Sequence, residues 1–175
     1  MTVSSLDTRS PPVLVTPARL ILLVGLGCLA LIAGAWFFEI VIGLRPCKLC
    51  LEQRLPHYAA IGLSVAGLVL ARSPLLQWLV LLGLAGLMAW SFWLGVYHSG
   101  VEWGWFAGPN DCGGAAAPVA AGVQDFMKQL QTTRVVACSE AAWRFLGLSL
   151  AGWNALASLG LLVLALAGLV RARRA

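Results

Sequence analysis

The sequence predicts an all-α membrane protein: a four-transmembrane-helix bundle with two loops on one side of the bilayer, the second loop carrying a short amphipathic helix. Three observations carry this. Apolar residues make up 60% of the 175 and charged residues only 11%, whereas a soluble domain has about 25% charged. Four stretches approach the roughly 20 apolar residues that a helix needs to cross a bilayer. Only Arg72, Ser73 and Pro74 separate the second stretch from the third, room for a tight hairpin. This composition excludes disordered, collagen-like, coiled-coil and free-standing soluble classes. It also excludes nucleic-acid binding: the net charge is +5, but half of the cations flank apolar runs and no basic face remains.

The first span runs from about Leu20 to Leu44, with Glu39 as its only charge. Arg9 and Arg19 precede it, as in a signal peptide. Yet it exceeds an h-region of about 7–15 residues, and no small-residue cleavage site follows before Pro46. It reads as a retained helix behind a flexible cytoplasmic tail, Met1 to Ala18, and residues 19–175 then form one membrane domain. The second span, about Leu55 to Ala71, opens on Pro56, His57 and Tyr58. The third, about Leu75 to Tyr97, carries no charge. The last, about Leu148 to Val170, ends against Arg171, Arg173 and Arg174.

Four spans put both termini and Arg72 on one side. Arg9, Arg19, Arg72, Arg171, Arg173 and Arg174 oppose Arg45, Lys48, Arg54, Lys128, Arg134 and Arg144, so raw counts tie. Density decides, because the first set lies close to the spans while the second is spread over about 60 residues among five acids. Both termini are therefore expected in the cytoplasm. Loop one (about Arg45 to Arg54) and loop two (about His98 to Gly147) then share the oxidising face. In loop two, Val119, Val123, Phe126, Met127 and Leu130 recur at helical spacing with Gln124, Asp125, Lys128 and Gln129 between them. That pattern suits a helix lying on the lipid surface or on the bundle end. Trp90, Trp93, Trp103, Trp105 and Phe106 crowd the outer end of span three, as an interfacial belt or as a wall for a flat ligand.

The cysteines carry the chemistry. Cys47 and Cys50 form a Cys-Lys-Leu-Cys motif in loop one, Cys112 and Cys138 lie in loop two, and Cys28 is deep in span one, where it reads as a small buried hydrophobe. A Cys112–Cys138 bond would close a loop of about 27 residues, worth roughly 3 kcal/mol, so a purely structural reading suits that pair. It suits Cys47–Cys50 poorly, because a four-residue ring constrains almost nothing. Zinc is disfavoured: one CxxC is half a zinc pattern, and an oxidising face works against free thiolates. No metal is expected. Redox exchange explains the short pair best, since a CxxC lowers the pKa of its reactive thiol and thiolate is the attacking species. Arg45, Lys48 and Arg54 favour thiolate further, and Pro46 stops a helix from running through Cys47.

Pro46-Cys47-Lys48-Leu49-Cys50, then Arg54, then Tyr97-His98-Ser99-Gly100-Val101-Glu102, resemble the disulfide bond formation protein B (DsbB) family. So do Cys138-Ser139-Glu140, Trp143 and Phe145-Leu146-Gly147-Leu148. In order and topology the resemblance covers essentially the whole chain beyond the tail.

It implies a multi-pass protein of the bacterial inner membrane with periplasmic cysteine loops. Such a protein reoxidises a soluble DsbA-like dithiol partner and passes the electrons to a membrane quinone, ubiquinone or menaquinone. Carried over by position, Cys112 is attacked by the partner, Cys138 exchanges with Cys47, and Cys50 is the thiolate beside the quinone. Arg54 supports quinone binding, His98 is a neighbour in the quinone pocket, and Trp143 matches an aromatic at the start of span four. Lys48 and Glu52-Gln53 depart from the best-known members, which bears on partner affinity and quinone tuning. The arginine also makes physical sense, because a guanidinium stabilises negative charge developing on a ligand oxygen in a low-dielectric site; snorkelling to lipid phosphate is its plainer role. Glu39 reads as a pocket group or an interfacial charge, and His57 as an interfacial histidine. Two rivals remain. A vitamin K epoxide reductase-like enzyme also couples CxxC to quinone, but there the motif sits toward the last core helix. A non-catalytic scaffold with stapled loops would show no turnover.

Overall fold

A computed structural model describes residues 16–109, 124 and 138–173. The tail as far as Val15, Cys112 and, Gln124 apart, the amphipathic segment 119–130 lie outside the described residues.

Among the described residues four long helices dominate, and each starts on a side-chain cap. Helix α1 (Pro17–Ile40) begins with Thr16, whose Oγ1 accepts from Arg19 N at 3.3 Å, and has Pro17 in its first turn, where a missing N–H costs nothing. It stops at Ile40, short of Leu44, and the chain then turns through Gly43 at φ +77°, a conformation that suits glycine. Helix α2 (Lys48–Leu70) starts well ahead of the apolar stretch at Leu55. Pro46 lies in the non-helical link after α1, and Cys47, in extended backbone, immediately caps a new helix that runs on through Pro56. Helix α3 (Pro74–Glu102) is capped by Ser73 and passes Tyr97, so His98 and Glu102 are helical.

Two short antiparallel strands, β1 (Arg144–Phe145) and β2 (Leu148–Ser149), precede the last helix, pairing Arg144 with Ser149 and Phe145 with Leu148. They add a small exception to an all-α expectation. Leu146 and Gly147 both have positive φ, 51° and 83°, as a two-residue type I′ hairpin requires. Ser149 then caps α4 (Leu150–Ala172), donated to by Gly152 N at 3.2 Å.

Each helix packs on its neighbour in chain order, most extensively α3 on α4, and α4 closes against α1. The interior holds Ile21, Val24, Cys28, Ala60, Leu81, Leu84, Met88 and Ala165. Cys28 Sγ lies 3.7 Å from Met88 Sδ there, as a core hydrophobe. Polarity also turns inward: Ser91 and Ser158 share a buried hydrogen bond of 2.9 Å, while Leu26, Leu29, Val65, Val69, Leu75, Leu79, Val163 and Leu166 face outward. Water would not tolerate that distribution; a bilayer does. The helices α1, α3 and α4 are long and apolar enough to cross a membrane. Helix α2 falls short on composition, because Lys48, Glu52, Gln53, Arg54 and His57 occupy its first turns.

Candidate active site

The site is built around the start of α2. Cys47 is its N-cap, and its Sγ accepts from Cys50 N at 3.3 Å. The three-residue spacing brings the Cys50 sulfur round to 3.0 Å, where the Cys47 thiol donates to it. That bond separates the pair. The Cys47 thiol beside it holds the Cys50 pKa below the usual thiol value, against the opposing effect of burial. Cys47 is pushed up to about 12, first because it keeps its proton to donate to Cys50 and then by burial, with a contact to His98 opposing both. Both groups sit in the polar first turn, ahead of the apolar stretch.

Two further elements converge on Cys47. From α3, His98 Nε2 lies 3.6 Å from Cys47 Sγ and 3.8 Å from Glu102 Oε1. From the loop before β1, Cys138 packs against Cys47, Leu49 and Val101. Burial raises its pKa, while the backbone N–H groups of Leu49 and Lys48 draw it down. Cys47, Cys50 and His98 bring three metal-capable atoms within 4.8 Å of one another. The 3.0 Å between sulfurs is shorter than the roughly 3.7 Å that two thiolates around one tetrahedral zinc require.

On its other side Cys50 opens on a cavity of about 400 Å³. Cys50, Gln53, Arg54 and His57 follow helical spacing, so α2 presents them as one stripe to that cavity. Small residues of α1, including Gly34 and Ala35, face them, and Phe38, Trp143, Phe145 and Trp153 supply aromatic wall. Trp143 stacks on Phe145 at 5.7 Å and tilts against Phe38 at 5.0 Å. Arg54 Nη1 donates to Glu39 Oε2 at 2.6 Å, and its guanidinium lies 5.7 Å from the Trp36 ring centre. Glu39 is thus a cavity group, ion-paired to Arg54. His57, 2% exposed, donates from Nδ1 to Gln53 O at 2.9 Å, and its Nε2 has no partner among the described residues.

A family profile described as Disulfide bond formation protein DsbB matches residues 17–168, from the start of α1 through most of α4. The chain belongs to the DsbB family. Relatives named Disulfide bond formation protein B include that of Verminephrobacter eiseniae, 34% identical with 86% of each chain covered. That of Dechloromonas aromatica is 31% identical, covering 86% of this chain and 91% of its own. No solved structure matches it significantly.

In this DsbB chain the structure brings Cys47, Cys50, Cys138 and His98 together and places Arg54 in the cavity wall. Cys112 lies outside the described residues. His98 does not line the cavity but stands behind Cys47. None of Trp90, Trp93, Trp103, Trp105 and Phe106 lines it either; Trp103 meets Trp105 edge-on and Phe106 stacks on Tyr97. Gln53 and Asn154 were not singled out as site residues by sequence. Asn154 Nδ2 donates to Gln53 Oε1 at 2.9 Å and Gln53 Nε2 meets His98 Nδ1 at 2.7 Å. A polar residue early in a lipid-facing helix was the available signal for Asn154.

Proposed function

We propose that the chain is a membrane thiol:quinone oxidoreductase that reoxidises a DsbA-like dithiol partner. The observation that carries the reading is that Cys50, the thiol of lowered pKa, opens on an apolar, aromatic-walled cavity beside Arg54. The residues fit a quinone. About 400 Å³ is within the range of small-molecule sites, the walls suit a flat ring, and Arg54 has donors left beyond the one given to Glu39. When bound, a quinone supplies an acceptor for two electrons and two protons.

The chain's own residues then divide the work. Cys112 takes the partner's thiolate as a mixed disulfide. The partner's second thiolate resolves it, leaving the partner oxidised and Cys112 and Cys138 reduced. Cys138 thiolate attacks Cys47, the Cys47–Cys138 bond forms, and Cys50 leaves as thiolate at the cavity wall. Cys112 thiolate then attacks Cys138 and restores the Cys112–Cys138 bond while Cys47 leaves. Loss of two electrons and two protons from the Cys47–Cys50 pair closes the cycle, so one partner dithiol and one quinone give one partner disulfide and one hydroquinone. Arg54 holds positive charge where the acceptor gains negative charge. The aromatic wall excludes water from that end. In this reading α2 is the fourth span, both termini are cytoplasmic, and the cysteine loops face the periplasm of a bacterial inner membrane.

The test is turnover. Purified protein in detergent, given reduced DsbA-like partner and a soluble ubiquinone or menaquinone analogue, should consume both in equal amounts, and Cys50→Ala should stop it. Failure with both quinones would leave the scaffold reading standing. A partner whose second cysteine is replaced by Ala should accumulate as a stable mixed disulfide with Cys112, Cys138 leaving as thiolate; trapping at Cys47 instead would reverse the relay.

A further inference from the structure

We propose that Asn154 and Gln53 are positioning residues that fix the tautomer of His98, so that its Nε2 carries the proton and faces Cys47. This rests on the redox role proposed for Cys47, and it gives His98 a duty toward that sulfur in place of one in the quinone cavity.

Three helices contribute one side chain each: Asn154 from α4, Gln53 from α2 and His98 from α3. The chain of bonds has a direction. Asn154 Nδ2 donates to Gln53 Oε1 at 2.9 Å, which commits the oxygen end of the Gln53 amide to α4. The nitrogen end, a donor only, is left 2.7 Å from His98 Nδ1. Nδ1 must therefore offer a lone pair, and a neutral imidazole then carries its hydrogen on Nε2. A second observation agrees. Glu102 Oε1 lies 3.8 Å from Nε2, and Glu102 Oε2 is buried without a partner among the described residues, so a carboxylate also favours hydrogen on that nitrogen. Gln53 is 7% and His98 2% exposed, so water does not compete for these bonds.

Cys47 Sγ, 3.6 Å from Nε2, receives the result. Each time Cys47 leaves a disulfide it takes the bond's electron pair as a thiolate. Cys50 on α2, Cys138 in the loop and Glu102 on α3 oppose negative charge there. The His98 N–H, the donor held against that sulfur, favours it.

The test is to reverse the chain. Asn154→Asp replaces a donor with a group that only accepts, at the same size. The Gln53 amide must then turn its nitrogen toward α4 and its oxygen toward His98, moving the imidazole hydrogen to Nδ1. The protein holds two histidines, so ¹⁵N-histidine NMR of the full chain in nanodiscs gives two ring systems, assigned with His57→Gln. The unaltered protein should show His98 protonated at Nε2 and His57 at Nδ1, and Asn154→Asp should move only the His98 proton. In a Cys50→Ala background, which removes the neighbour that pushes Cys47 up, site-resolved alkylation should show the Cys47 midpoint rising by about one pH unit with Asn154→Asp. That is a tenfold loss of thiolate at fixed pH. Asn154→Leu, leaving Gln53 free to turn either way, should fall between. A role in packing alone would move neither the proton nor the midpoint. His98 protonated at Nδ1 or at both nitrogens in the unaltered protein overturns the proposal without any variant. A moved proton with an unmoved midpoint overturns the link to Cys47. Failure of quinone turnover is read separately and strikes the proposed function.

Discussion

Two cysteines three residues apart share one helical turn yet differ in acidity, because one donates to the other. In fully reduced protein Cys50 should alkylate at lower pH than Cys47, whose pKa is pushed up to about 12. Cys47→Ala removes the donor, so the Cys50 midpoint should rise; mass spectrometry of the alkylated protein reads both, and equal midpoints would remove the asymmetry. Arg54 supports a second expectation. Losing a charge-assisted hydrogen bond of about 1.5–3 kcal/mol, Arg54→Ala should reduce quinone kcat/KM by roughly tenfold to a hundredfold while exchange at Cys112 survives. Arg54→Lys should recover part of it, since a point charge lacks the guanidinium fork. Full turnover in Arg54→Ala would make the residue a lipid anchor. The cysteine pair and Arg54 were legible in sequence because they form a local motif, although the helical turn that joins them was not, since loop one was expected to run as far as Arg54. The partner of Gln53 was not: Asn154 is 101 positions away, on a helix that packs against α3 and α1, and only closure of the bundle brings it across to α2.

At the scale of elements, close approach sets the α3–α4 contact. A Cβ built on Gly95 would lie 2.9 Å from both the N and the Cβ of Ala155, and backbone cannot step aside as a side-chain tip can. Gly95→Ala should therefore destabilise the bundle by about 1–3 kcal/mol, read as a lowered midpoint of thermal unfolding in detergent, whereas Gly86→Ala, with open space around it, should not. Helix existence was plain from apolar runs, but ends were less so. Hydropathy locates apolar stretches, not hydrogen-bonded turns, so it placed the second element at Leu55 although Cys47 caps it at Lys48. The β1–β2 hairpin escaped for a related reason: Phe145, Leu146 and Leu148 read as the apolar beginning of a span, and Leu146 in positive φ is rare for a branched side chain.

For the molecule as a whole, outward leucines and inward serines invert the order of a soluble protein, and composition alone foretold that. Sidedness is a separate matter, resting on cation density close to the spans. A membrane-impermeant thiol reagent applied to intact cells under reduction should label Cys112 or Cys138. Labelling that needs an opened cytoplasm would invert the orientation.

The Cys47 sulfur is at once the cap of α2 and an atom that the proposed chemistry oxidises. In the reduced pair the Cys47 sulfur, a thiol, accepts from Cys50 N, whereas in the disulfide that sulfur is bonded to Cys50, so fraying of the helix start and reduction of the CxxC become one linked equilibrium. Cap strength of about 1 kcal/mol corresponds to about 20 mV in a two-electron couple. Substitutions that merely loosen the first turn of α2, touching neither quinone nor partner, would therefore retune the reduction potential of the pair.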